Sequence, residues 1–163
     1  MPVKTVHDLF VEELRDVYHA EKQLARALPK MAKAASSDKL RQAIELHKEQ
    51  TDGQIERLEQ VFESLDERKR GKRCEAMEGL IEEAQEIMEE VKSPEVRDVA
   101  LIAAAQKVEH YEIASYGTLR ALAEAMGHDD AEKLLAQTLE EEKETDQKLN
   151  QLALSEVNQR ALQ

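Results

Sequence analysis

Between residues 5 and 157 the chain carries four long stretches whose apolar side chains recur in alternating steps of three and four. Such spacing draws one stripe along each stretch, the pattern of helices packed side by side along a common axis. The first stripe reads Phe10, Leu14, Val17, Glu21, Leu24, Leu28, Met31, and the second Leu40, Ile44, His47, Thr51, Gln54, Leu58, Val61, Leu65. The third reads Ile102, Ala105, Glu109, Glu112, Tyr116, Leu119, Met126, and the fourth Leu135, Thr138, Glu142, Thr145, Leu149, Leu152. With five glycines and three prolines in 163 residues, little interrupts the helices. No strand pattern competes with them.

Local signals place the helix ends. Thr5 with Asp8 forms a capping box that opens a first helix to about Ala35, with Pro29 kinking it or loosening one turn. Ser36 or Ser37 caps a second helix to about Leu65. A shorter amphipathic helix over 75–92 carries Met77, Leu80, Ile81, Ala84, Ile87, Met88 and Val91. Ser93 before Pro94 starts the third long helix, which Gly127 ends, and Asp129 with Glu132 caps the last helix to about Val157. The joints at 36–37 and 127–128 are so short that each pair of long helices must form an antiparallel hairpin. The 66–94 segment is long enough to travel the whole bundle between the hairpins. The expected fold is therefore all-α, one domain over 1–163, an antiparallel four-helix bundle with a long crossover carrying a short fifth helix. Ferritin-like folds have this connection. The alternative is an up-down bundle in which the short helix is a fifth member.

The stripes also turn polar near their midpoints, all four together. Helices of similar length packed side by side bring those midpoints to one level, so Glu21, His47, Glu109, Glu112 and Glu142 are expected to converge inside the core. Buried carboxylates cannot all stay charged and unpaired. Protons could neutralise them, and so could a cation. Oxygen-rich donors with one imidazole suit iron or manganese, and zinc less well. Arg120 and Lys148 stand near the stripes and could lean in, while His110 points away. Tyr18 and Tyr116 read as core aromatics whose hydroxyls reach a carboxylate. Of the acidic run 139–144, only Glu142, with Glu141 as the alternative, turns inward.

Net charge narrows the partners. At −12, the chain repels nucleic acid and anionic membrane at long range. The RKRGKR run at 68–73 reads as a solvated loop. Met1 to Asp16 carries acids where a signal peptide needs an apolar core, and the longest apolar run, 99–105, is too short to span a bilayer, so the cytoplasm is expected. The single cysteine, Cys74, reads as an incidental thiol. Leu46, Ile55 and Phe62 beside the second stripe exceed what one partner helix covers and suggest a homodimer.

The segments YHAEKQLARALPKMAKA, QTDGQIERLEQVFE, KVEHYEIASYGTL and TLEEEKETDQKL, in this order, resemble the bacterial stress-response family of YciF-type proteins. The resemblance spans essentially the whole chain and implies a rubrerythrin-related, ferritin-like bundle of uncharacterised activity, a helix in the crossover, and dimers. Glu109-His110-Tyr111-Glu112 is similar to the third-helix glutamate pair of rubrerythrins, which implies Glu21, Glu109 and Glu112 as ligands. The departures lie elsewhere. Ferritin-like di-iron sites take Glu-x-x-His from the second and fourth helices, whereas this chain has Thr51-x-x-Gln54 and Glu142-x-x-Thr145. Glu49, Asp52 and Asp146 could substitute only by rotating their helices off the apolar stripes. Two functions follow as expectations: a stress protein holding iron or manganese on buried carboxylates without a complete ferroxidase centre, or a non-catalytic structural or interaction protein whose polar layer holds no metal.

Overall fold

The computed structural model describes residues 2–163, and every regular element among them is helical. Helix α1 is Val6–Ala34, with Pro29 inside it. Its capping box is complete: the Thr5 hydroxyl accepts from Asp8 N at 3.0 Å and the Asp8 carboxylate accepts from Thr5 N at 3.0 Å. Helix α2, Asp38–Ser64, is capped by Ser37, whose hydroxyl accepts from Leu40 N at 3.3 Å. Helix α3, Glu75–Glu90, stops before the expected Lys92. Ser93 caps helix α4, Pro94–Ala125, which closes at Gly127 with φ +74°, a conformation glycine adopts without strain.

The start of the last helix differs from the expectation. Helix α5, Asp129–Leu152, takes His128 and not Asp129 as its N-cap residue, and His128 makes no side-chain capping bond. Its ring stacks on Phe10 instead, with centroids 6.2 Å apart, and the Glu132 carboxylate is taken by Arg120 at 2.8 Å. A tertiary contact has thus claimed Glu132 of the expected Asp129–Glu132 pair. The helix also runs past Val157, through a π-helical turn at Ala153–Val157 into a short α6, Asn158–Ala161.

Contacts at the two ends fix the direction of every helix. The carboxylate of Asp98, at the start of α4, accepts from Ser36 N at 2.8 Å, Ser36 Oγ at 2.6 Å and Ser37 N at 2.9 Å, so the α1/α2 joint and the beginning of α4 share one end. At the other end the ring of His7 meets that of His128, 6.1 Å between centroids. Around the bundle α1 packs on α2, α2 on α5, α5 on α4 and α4 on α1. Each is antiparallel to both neighbours, while α2 and α4 lie on a diagonal and run parallel. An up-down bundle would have set α2 beside α4. The crossover therefore traverses the bundle's length. It is held on α1 by Lys72 N to Arg15 O at 3.0 Å and by Cys74 N to His19 Nδ1 at 3.0 Å, and it lays α3 against α1 and α4.

Two apolar clusters fill the core. One, toward the Ser36 end, gathers Leu24, Leu28, Leu40, Ile44, Leu101, Ile102 and Leu149. The other, toward His128, gathers Phe10, Leu14, Leu58, Phe62, Leu119 and Leu135. Phe62 does not belong to an uncovered face: it is wholly buried against Tyr18, with ring centroids 5.6 Å apart. Ile55 is partly covered by the same cluster, and Leu46 stays 43% exposed.

Candidate metal centre

Between the two apolar clusters lies a layer of polar side chains, buried because the three-four spacing keeps them on the same stripe as their apolar neighbours. Glu21, Thr51, Gln54, Glu109 and Glu142 have no solvent exposure at all, and Glu112 and His47 have almost none. The levels are set by contacts between α2 and α5. Thr145 Oγ1 donates to Gln50 Oε1 at 3.1 Å, and Arg57 Nη1 donates to Thr138 Oγ1 at 3.1 Å and to both Glu141 oxygens at 2.8 and 2.7 Å. Gln54 and Glu142 lie between these two ties.

Single donor atoms from His47, Glu109, Glu112 and Glu142 all fall within 4.8 Å of one another. His47 Nε2 is 2.8 Å from Glu109 Oε1 and 3.8 Å from Glu142 Oε2, yet it makes no hydrogen bond. Glu21 is outside this group of four and stands next to Glu112. None of the eight oxygens of the four carboxylates, the hydroxyl of Tyr116 or either amide atom of Gln54 has a hydrogen-bond partner in the protein.

The electrostatics follow from burial. Loss of water raises the Glu21 carboxyl to about 8, an effect that the neighbouring carboxyl of Glu112 opposes and the charge of Glu142 reinforces. Burial first, then the neighbouring carboxylate of Glu142, pushes Glu109 far above the usual carboxyl range. Glu112 is pushed the same way by burial and then by the charges of Glu142 and Glu21. Burial lowers the pKa of His47 against the opposing pull of Glu142, which favours the neutral imidazole with its lone pair. A neutral imidazole among carboxylates without donors is a set that could hold a metal ion.

Other expectations changed. Arg120 is turned to Glu132 and Lys148 is exposed, so neither leans into the layer. Arg57, three residues beyond Gln54, instead carries its charge across to Glu141 on α5. Tyr18 does reach a carboxylate, donating to Glu59 at 2.8 Å, but the hydroxyl of Tyr116 reaches none. Glu49 and Asp52 are exposed, and Asp146 accepts from Gln106 at 3.4 Å and lies 3.2 Å from His110, itself 70% exposed. Cys74 is not incidental. It is buried as the N-cap of α3, where its sulfur accepts from Met77 N at 3.4 Å and lies 3.0 Å from the hydroxyl of Tyr111, which donates to Asp16. That network joins three distant segments, which no single stripe displays.

Fold and layer together define an all-α bundle protein with a buried histidine-carboxylate cluster that could hold a metal ion. The profile of the family described as "Domain of unknown function (DUF892)" matches residues 5–162, and the chain belongs to that family. It is 59% identical to Protein YciF of Escherichia coli K12 over 162 residues, covering 99% of this chain and 98% of that one. The crystal structure of the E. coli stress protein YciF superimposes with a TM-score of 0.92 over 96% of this chain and 99% of that chain. YcfI of Rhodopseudomonas palustris, provisionally described as a structural protein, is 49% identical with a TM-score of 0.89, covering 91% and 94% of the two chains. A protein of Xanthomonas campestris at 20% identity shares the fold, with a TM-score of 0.73 over 97% and 99%.

Proposed function

We propose that this homologue of a bacterial stress protein is a ferritin-like metal-binding protein that holds iron or manganese on His47, Glu109, Glu112 and Glu142, with Glu21 beside them. The observation that carries this reading is the approach of His47 Nε2 to Glu109 Oε1 at 2.8 Å without a hydrogen bond, inside a buried layer whose carboxylate oxygens have no protein donors. A cation satisfies both kinds of group at once. Thr51-x-x-Gln54 and Glu142-x-x-Thr145 stand where a complete ferroxidase centre would need histidines, so the function assigned is binding rather than turnover. The reading includes a cytoplasmic, single-domain homodimer; what supports the dimer is exposed Leu46 and partly covered Ile55, and light scattering tests it.

The test is elemental analysis of protein purified without chelator, before and after anaerobic soaking in ferrous or manganous ion. At least one ion per chain is expected, and none in either preparation sinks the reading. A metal-free structural role is the second reading. It is supported by the same geometry with protons added, because a protonated Glu112 can donate to Glu21 and a protonated Glu109 to Glu142. The provisional description of YcfI as structural favours it too.

A further inference from the structure

The polar layer is closed along the bundle axis by an apolar cluster on either side, so an ion can reach it only sideways, between two helices. Helix α3 covers the α1/α4 side. Of the three remaining seams, the one between α2 and α5 has the least extensive helix contact. Side chains alone close it at the level of the layer. Gln50 pairs with Thr145 at one edge and Arg57 with Thr138 and Glu141 at the other, which sets Gly53 and Gln54 level with Glu141 and Glu142. Gly53 follows Gln50 by three residues and precedes Arg57 by four, so it lies on the face of α2 turned to α5. A β-carbon placed there would meet nothing from a neighbouring helix within 4 Å. Neither a positive φ nor a close approach requires a glycine at this position, although glycine weakens a helix interior. The seam is bare at this point.

The ion pair beside this gap touches both solvent and the layer. Arg57 and Glu141 keep 19% and 18% of their side-chain surface exposed. Yet the charge of Glu141 is felt by the buried Glu21 and that of Arg57 by the buried Tyr116. Glu142, the residue after Glu141, is one of the four converging donors. We infer that the Arg57–Glu141 pair, beside the gap at Gly53, is the gate through which a divalent cation enters the layer, Glu141 receiving it and Glu142 taking it inward. An arriving cation and the Arg57 guanidinium compete for one carboxylate, so entry needs a rotamer change of a long side chain and no separation of helices. The α4/α5 seam is also polar near this level, where Asp146 meets Gln106 and His110, but the helix contact there is more extensive. This inference rests on the reading of the His47 cluster as metal-binding.

Uptake and release cross the same gate, so closing or opening it changes both rates by one factor and leaves affinity alone. Stopped-flow mixing measures uptake of Mn²⁺ by chelator-stripped protein from a metal-indicator dye, and its release into excess EDTA. Equilibrium dialysis gives Kd, and circular dichroism shows each variant folded. Arg57→Met keeps the apolar stem without the charge and is expected to speed release by about threefold or more, the scale of one partly exposed ion pair. Losing a nearby positive charge with no gate would tighten binding and slow release. Slower or unchanged release therefore overturns the role of Arg57. Gly53→Phe fills the gap from a position with open space and should slow uptake and release together by about threefold or more, with Kd within about twofold of wild type. Unchanged rates in folded Gly53→Phe overturn the location of the gate, as does a changed Kd with only one rate altered. Each of these results leaves the His47 reading standing, whereas no Mn²⁺ bound by folded wild type at equilibrium overturns both.

Discussion

The imidazole of His47 and the carboxylate of Glu109 come within 2.8 Å of each other although they stand on α2 and α4, the helices across one diagonal of the bundle. Diagonal helices do not touch along their backbones, so a contact between them must cross the bundle axis. Two polar groups on the axis, with apolar clusters above and below, have no route to water. Whatever balances them must be inside with them.

His47→Ala is therefore expected to reduce affinity for Fe²⁺ or Mn²⁺ by about tenfold or more, which corresponds to about 1.4 kcal/mol for each factor of ten. The two apolar clusters are untouched, so the variant should remain folded. Anaerobic calorimetric titration checks this, and equal affinity in variant and wild type removes His47 from the site.

The metal-free protein should lose stability as pH rises. Glu21, Glu109 and Glu112 have folded-state values raised above the ordinary 4.5, so the folded state binds more protons than the unfolded one. That stabilisation is complete below the unfolded value. It is lost as pH climbs through the raised range, to about 8 for Glu21, at about 1.4 kcal/mol per pH unit for each group titrating. Urea melts at pH 5.5 and pH 8, with and without Mn²⁺, measure it; a metal-free protein more stable at the higher pH contradicts the assignment.

Glu112→Gln should act in opposite directions on the two forms. An amide fills the space without charge, so the metal-free variant should melt higher than wild type at pH 7.5, by about 2–4 °C for each kcal/mol of relieved repulsion. Added Mn²⁺ should stabilise the variant less than wild type. A lower melting point for the metal-free variant would show that Glu112 serves a hydrogen-bond network in its charged state.

Away from the layer, Asp98→Ala should cost about 3 kcal/mol, since it strips three hydrogen bonds from a buried carboxylate and leaves Ser36 and Ser37 backbone donors without their acceptor. Metal stoichiometry should not change. Denaturant titration and elemental analysis read the two halves, and a loss under about 0.5 kcal/mol would deny Asp98 its role in tying the hairpins together.

Much of this architecture was legible in the chain. Steps of three and four place Glu21, His47, Glu109, Glu112 and Glu142 on the apolar stripes, and the observed burial follows because a helix cannot turn one position outward without turning its whole face. The crossover was readable from the length between hairpins. Arg57 was not, because its backbone sits off the stripe and only its long side chain reaches α5. Nor were the Tyr111–Cys74–Asp16 contacts, which depend on where the crossover lies against α1 and α4. The Asp129–Glu132 cap of α5 failed for a related reason: Glu132 found a partner in Arg120 on another helix, and the local rule has no knowledge of such partners.

The long crossover also bears on the order in which the molecule assembles. It separates the chain into two helical hairpins, each closed by a joint of a few residues and able to form early from local contacts. The first carries Glu21 and His47, and the second carries Glu109, Glu112 and Glu142, so neither hairpin alone offers the complete set. An ion that needs both arrives after they dock, and its stabilisation should appear in the unfolding rate, leaving the folding rate almost unchanged. Stopped-flow traces with and without Mn²⁺ display this directly: a slowed unfolding limb is expected, while a folding limb accelerated by the ion would mean that the layer assembles before the main barrier is crossed.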